Sequence, residues 1–211
     1  APLLVSGDGR GDGMGREGRK SMIHPSIALD SAYECVVYGM GISDNSRFEQ
    51  LMSKTCPSGV HAFDCTINST KPSVFGMNFT FHPTCVGLLY DLSVGSVYAN
   101  ETTDSLNFET LPNIMKELKH THLDILKLDV EGSEWKLLED FPVKPRQLFI
   151  ELHTKMARRK YVPHHLVETK DKAATDALFL KLYDMGYRVI SKDINTGDRA
   201  CAEFSLVLID E

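Results

Sequence analysis

Ile125-Leu126-Lys127-Leu128-Asp129-Val130-Glu131-Gly132-Ser133-Glu134-Trp135 passes from an apolar run to a cluster of acids and then to a helical pattern. Leu123 to Leu128 reads as a buried strand that breaks off at Asp129, Glu131 and Gly132, and Glu134 to Glu139 reads as a helix. Strand, polar corner and helix in that order are the unit of an open α/β sheet, in which ligands bind at the carboxyl ends of the strands. Asp129 is therefore a site candidate. Glu134 is expected to open the helix, where an acid suits the dipole, and Trp135 is expected in the core.

Working outward, Glu34 to Tyr38 predicts a first strand running into the corner Gly39-Met40-Gly41-Ile42-Ser43-Asp44, with a helix over Arg47 to Met52. Asp44 stands where a dinucleotide fingerprint requires its third glycine, which disfavours NAD and leaves the corner for a nucleoside. Gly59 to Asp64 predicts a second strand ending in an acid that can accept both hydroxyls of a ribose, or else cap a turn. Phe79 to His82 predicts a third strand, with His82 packed in the core and Val86-Gly87 at its exit. Phe108 to Leu118 carries apolar residues at helical spacing, with Pro112 in the first turn. Gln147 to His153 predicts a fifth strand, ending in Glu151 and His153. Asp176 to Met185 predicts a helix closed by Gly186, followed by a hairpin of Tyr187 to Ile194 with Glu203 to Ile209.

Composition narrows the function classes. The 211 residues are 42% hydrophobic, enough for one full core, and 29 acids against 23 bases leave a net charge of -6. A nucleic-acid partner is not expected, since Arg158-Arg159-Lys160 is the one dense basic cluster, and no apolar run reaches membrane-spanning length. The five cysteines lack CxxC spacing and suggest neither a zinc site nor a disulfide framework, so a reducing, cytoplasmic setting is expected. Residues 1–29 form a glycine-rich segment, read as a flexible lead-in or a lid, and residues 30–211 as a single domain. Ala1 at the start suggests a processed product or part of a larger multidomain polypeptide. His164 and His165 read as loop residues.

At the level of residues, Cys35 to Asp44, Val60 to Asp64 and Leu126 to Trp135 together resemble the FkbM-type methyltransferases, in the methyltransferase-like protein 24 branch, within the class I S-adenosylmethionine-dependent methyltransferases. The resemblance covers roughly residues 30–211. It implies a Rossmann-like, doubly wound, seven-stranded α/β sheet with an antiparallel last strand. It also implies S-adenosylmethionine beside Tyr38, Gly39 and Gly41, its ribose on Asp64, and its adenine bordered by Cys65, Val86 and Gly87. Family members that act on small molecules methylate hydroxyls, so a sugar, glycan or other small molecule is the expected acceptor. Such a hydroxyl must lose its proton as it attacks, and His153 is placed to act as base. Asp129 and Glu151 end strands expected to be neighbours, and their oxygens suit Mg²⁺ or Mn²⁺. Metal dependence stays open, because Asp129 alternatively contacts the methionine amino group while Glu151 is structural. Two other readings also stay open, a protein or nucleic-acid methyltransferase and a catalytically silent cofactor-binding interaction module.

Overall fold

A buried strand does run up to Asp129. The computed structural model describes residues 3–5, 20–22, 35–43, 45–57, 59–67, 70, 76–87, 107–130, 132–154, 170–195 and 200–209. In chain order its elements are β1 (Leu3–Val5), β2 (Lys20–Met22), β3 (Val37–Met40), α1 (Arg47–Thr55), β4 (Val60–Phe63), β5 (Thr80–His82), β6 (Cys85–Val86) and β7 (Phe108–Glu109). There follow α2 (Leu111–Glu117), β8 (Ile125–Leu128), α3 (Glu134–Glu139), β9 (Gln147–His153), α4 (Lys172–Asp184), β10 (Tyr187–Ile194) and β11 (Cys201–Leu208). Glu131, the Arg158 to Lys160 cluster, His164 and His165 lie outside the described residues, as does most of the glycine-rich segment.

Seven strands form one sheet in the order β10-β11-β9-β8-β3-β4-β5. β3, β4, β5, β8 and β9 run parallel, and β11 lies antiparallel between β9 and β10. This is the Rossmann-like sheet with an antiparallel last strand that the sequence predicts. β3 and β8 are buried at every position, as strands covered on both faces must be. One face carries Tyr38, Met40, Leu126, Leu128 and Ile150 against Leu111 and Ile114 of α2, Leu137 and Leu138 of α3, and Leu178 and Leu182 of α4. The other carries Val37, Val60, Ile125 and Phe149 against Phe48 and Met52 of α1 and Met22 of β2.

Local differences have local causes. The first strand runs on past the predicted end at Tyr38 because Gly39 is itself a ladder residue, paired with Ala62 and Lys127. The predicted helix at 108–118 is preceded by a bridge of Phe108–Glu109 to Cys85–Val86 and starts at Leu111, where the Thr110 hydroxyl accepts from the Asn113 amide. The glycine-rich segment holds strands at its margins, since Leu3–Val5 pairs with Lys20–Met22 and Met22 is core.

The cysteine expectation is corrected. Cys35 pairs with Cys56 and Cys65 with Cys85, at sequence separations of 21 and 20, while Cys201 keeps its thiol. The partners lie about twenty residues apart, where the fold brings the ends of separate elements together, so no short spacing motif announces them. Closing a loop of this length removes roughly 3 kcal/mol of unfolded-chain entropy per bridge. Among the described residues no helix is long and apolar enough to cross a membrane.

His82 is packed as predicted, stacked on Phe63 at 4.6 Å and on His61 at 5.2 Å. Its Nε2 lies 3.0 Å from His61 Nδ1, and the Tyr38 hydroxyl lies 2.7 Å from His120 Nδ1. Burial, then the charges of His82 and His120, pull His61 down to about 4; burial, then His120, also lowers His82. These rings are neutral in the fold and protonate readily when unfolded, so their contribution is present above about pH 6.5 and is lost as pH falls towards 4. With solvent screening allowed for, the loss is on the order of 1–2 kcal/mol. Urea unfolding at about pH 7 and about pH 5 should show this fall in wild type and a smaller one in His61→Asn. Equal falls in the two proteins would remove the assignment.

Candidate cofactor-binding and active site

The corner after β3 is stitched to both neighbouring strands. The Gly41 amide donates to Phe63 O at 3.0 Å, and the Asp129 amide donates to Met40 O at 3.0 Å. Gly41 has a φ of 80°, and a Cβ there would sit 1.7 Å from Asp129 O, so no other residue fits. A Cβ at Gly39 would meet Glu49 Oε1 at 2.1 Å. Glu49 is wholly buried in α1, and Lys127, Gly39's partner on β8, is 2% exposed and donates to Gly41 O at 3.0 Å. Tyr38 lies in the core beneath this corner, its ring 5.0 Å from Phe63.

Asp64 follows β4 and is 6% exposed. Its Oδ2 accepts from the amides of Ile42 at 3.1 Å and Ser43 at 2.8 Å, and its Oδ1 from the Thr66 amide at 2.8 Å and hydroxyl at 2.6 Å. Four donors fill the acceptor sites of a carboxylate. Asp64 thus shapes the glycine corner, and a ribose hydroxyl would have to replace one of those donors, the Thr66 hydroxyl most simply. The disulfide at Cys65 ties this loop to Cys85, and Val86 and Gly87 beyond it line an apolar cavity of about 30 Å³ with Leu111, Leu128 and Leu137. That is room for a water or two.

The other half of the site stands on β8, β9 and β11. Leu128 pairs with Ile150, which puts Asp129 beside Glu151, and on the antiparallel side Glu203 lies opposite Glu151 and Cys201 opposite His153. Glu151 hydrogen-bonds with the side chains of Asp129 and Cys201, and Asn195 Nδ2 donates to its Oε1 at 3.3 Å. Burial first, then the charges of Asp129 and Glu203, push its carboxyl up to about 7. Asp129 is the open member, 21% exposed, with Lys127 Nζ 3.7 Å from its Oδ2.

Glu134 does more than open α3. It is fully buried, its Oε1 accepts from the Val130 amide at 3.2 Å, its Oε2 accepts from the Gly132 amide at 2.7 Å, and His153 Nδ1 lies 2.9 Å from Oε1. Burial pushes this carboxyl up, and the donors on its two oxygens, the two amides and the His153 ring, pull the other way. Burial would likewise lower His153; the hydrogen bond and charge of Glu134, then Glu151 and Asp129, outweigh it and raise His153 to about 9. At neutral pH the imidazole therefore rests protonated against Glu134, so it must pass a proton on before it can accept one as a base. Trp135 Nε1 donates to His153 O at 2.6 Å and fixes the end of β9.

The fold thus brings Asp129, Glu151 and His153 together, and Gly41 and Asp64 around one corner. Glu134, Cys201 and Glu203 were not picked out as site residues from the sequence; the alternation Cys201, Glu203, Ser205 along β11 was the available sign.

A family model described as a methyltransferase domain matches residues 8–208. Probable methyltransferase-like protein 24 of Homo sapiens is 28% identical over 144 residues, 61% of this chain and 37% of that protein. The Rattus norvegicus protein of the same name is 29% identical over 133 residues, 57% and 33% of the two. The chain spans about a third of the length of these relatives. Among solved structures, the antibiotic-resistance methyltransferase Kmr aligns over 88% of this chain and 92% of its own at 15% identity, with a TM-score of 0.43. With the family match running over nearly its whole length, the chain belongs to the methyltransferase domain family.

Proposed function

We propose that this domain is an S-adenosylmethionine-dependent O-methyltransferase acting on a hydroxyl of a sugar, glycan or other small molecule. The observation that carries the reading is the placement of Asp64 and Asp129 directly after β4 and β8, at the Gly39 to Gly41 corner, with Glu151 of β9 beside a partly exposed Asp129. Gly39 and Gly41 would underlie the methionine part, Asp129 suits its ammonium group, Asp64 would take the ribose, and Cys65, Val86 and Gly87 would border the adenine. S-adenosylmethionine, when bound, supplies an electrophilic methyl group. The chain's own task is the proton of the acceptor hydroxyl. Glu151, His153 and Glu134 form a hydrogen-bonded and electrostatically linked group beside Asp129 that can hold and move it. The oxygens of Asp129 and Glu151 suit a divalent cation such as Mg²⁺ or Mn²⁺, which would lower the pKa of that hydroxyl. The paired cysteines support an oxidising compartment in place of the cytoplasm.

A second reading, the silent interaction module, is favoured by the engagement of Asp64 with four donors of its own chain. Calorimetric titration of S-adenosylhomocysteine separates the two. Micromolar binding, on the order of -8 kcal/mol, is expected, and Asp64→Ala should weaken it by about tenfold or more, roughly 1.4 kcal/mol. No binding to the wild type would overturn the proposal and leave the module.

A further inference from the structure

We propose that Glu151, His153 and Cys201 form a binding site for a transition-metal dication of the Zn²⁺ class. One ligand atom from each lies within 4.8 Å of the others. Ligands around a tetrahedral zinc, at about 2.0–2.3 Å from the ion, sit roughly 3.3–3.8 Å apart. An adjustment of about an ångström in side-chain torsions would therefore close the site. The three residues stand on paired strands. Cys201 is opposite His153 in the β9/β11 ladder, and Glu151 is two residues back on the same face.

A second observation concerns the ring. Glu134 engages His153 at Nδ1, at 2.9 Å, which orients the imidazole from the side of the helix. A buried carboxylate on the distal nitrogen is the usual outer partner of a metal-bound histidine. The charges point the same way. Glu203 lies directly opposite Glu151, with Asp129 and Glu134 beside the group, so four acids share the cations Lys127 and His153, and a bound dication would offset the excess of negative charge. The hydrogen bond between Cys201 and Glu151 marks the proton that a metal would displace.

The donor set selects the ion. Imidazole and thiolate suit Zn²⁺ and its neighbours, whereas Mg²⁺ and Ca²⁺ take oxygen. The inference rests on the metal assistance proposed above and revises it: the class of cation changes, His153 and Cys201 replace Asp129 beside Glu151 in the ligand set, and the bound ion takes the place of the proton on His153. It does not require the acceptor to be a hydroxyl.

The test is a Co²⁺ titration of the chelator-treated chain with its disulfides intact, followed by absorption, with S-adenosylhomocysteine binding measured on the same sample. One equivalent of Co²⁺ should give thiolate-to-cobalt charge-transfer absorption that Zn²⁺ abolishes and excess Mg²⁺ does not. Cys201→Ser should remove that band, and His153→Gln should weaken Co²⁺ binding by about tenfold or more, each in a protein whose thermal unfolding stays cooperative. The absence of the band in wild type, its survival in Cys201→Ser, or displacement by Mg²⁺ would overturn the site. Intact S-adenosylhomocysteine binding beside any of those results would leave the methyltransferase reading standing.

Discussion

Replacing Glu134 by alanine is expected to lower the free energy of unfolding by about 3–5 kcal/mol. The side chain is fully buried and is the acceptor for two backbone amides and the partner of the His153 ring. Without it, those amides and a buried imidazole lose their partners together, and the cost of a broken buried pair comes mainly from the charge left behind. Glu134→Gln keeps one acceptor oxygen, turns the other into a donor and loses the charge, so a smaller cost than truncation, about 1–3 kcal/mol, is expected. The pH dependence provides an independent check. His153 is raised from 6.5 to about 9 in the fold, so its contribution is fully present below about pH 6.5 and is lost as pH rises through 9. Urea midpoints measured from about pH 6 to about pH 9.5 should therefore fall in wild type and stay flatter in Glu134→Ala. A loss under about 1 kcal/mol at neutral pH would show that the ion pair does not hold this corner.

What could be read from the chain and what could not divide along a physical line. Asp64, Asp129 and Glu151 were legible because each interrupts an apolar run, and the topology of parallel strands carries such residues to one edge of the sheet. Glu134 was legible only as a first-turn acid, because its partner His153 lies 19 residues away across a crossover that sequence periodicity does not report. The disulfides were hidden for the same reason, at separations of 21 and 20. Gly39 and Gly41 read as a loop signal, yet Gly39 is a strand residue kept small by Glu49, and Gly41 is kept small by a carbonyl of another strand's end. A glycine reports that space is missing and not what occupies it. Asp64 shows the same limit, since the composition of its loop could not reveal that Thr66, Ile42 and Ser43 would all donate to it.

Asp129→Ala is expected to cut methyl transfer by roughly 10²–10⁴-fold. Asp129 is 21% exposed, and it lies between Lys127, at 3.7 Å, and Glu151. Its backbone is fixed independently of its side chain, through the amide bond to Met40 and the contact of its carbonyl with Gly41. Truncation should therefore leave the fold in place, because Lys127 keeps its bond to Gly41 O, at a cost of about 1–3 kcal/mol for taking an acid from beside a buried ammonium. Transfer from labelled S-adenosylmethionine to a panel of sugar and small hydroxyl acceptors would measure the effect, with Asp129→Asn as the isosteric control. A residue that holds the ammonium group should raise KM for S-adenosylmethionine in both variants. One that shares the acceptor's proton with Glu151 should lower kcat at saturating cofactor, because the charge that helps draw the proton away is gone. Both effects are expected, since the same carboxylate faces the corner and the β9 group. Transfer by Asp129→Ala within about threefold of wild type, roughly 0.7 kcal/mol, would move the chemistry away from the ends of β8 and β9.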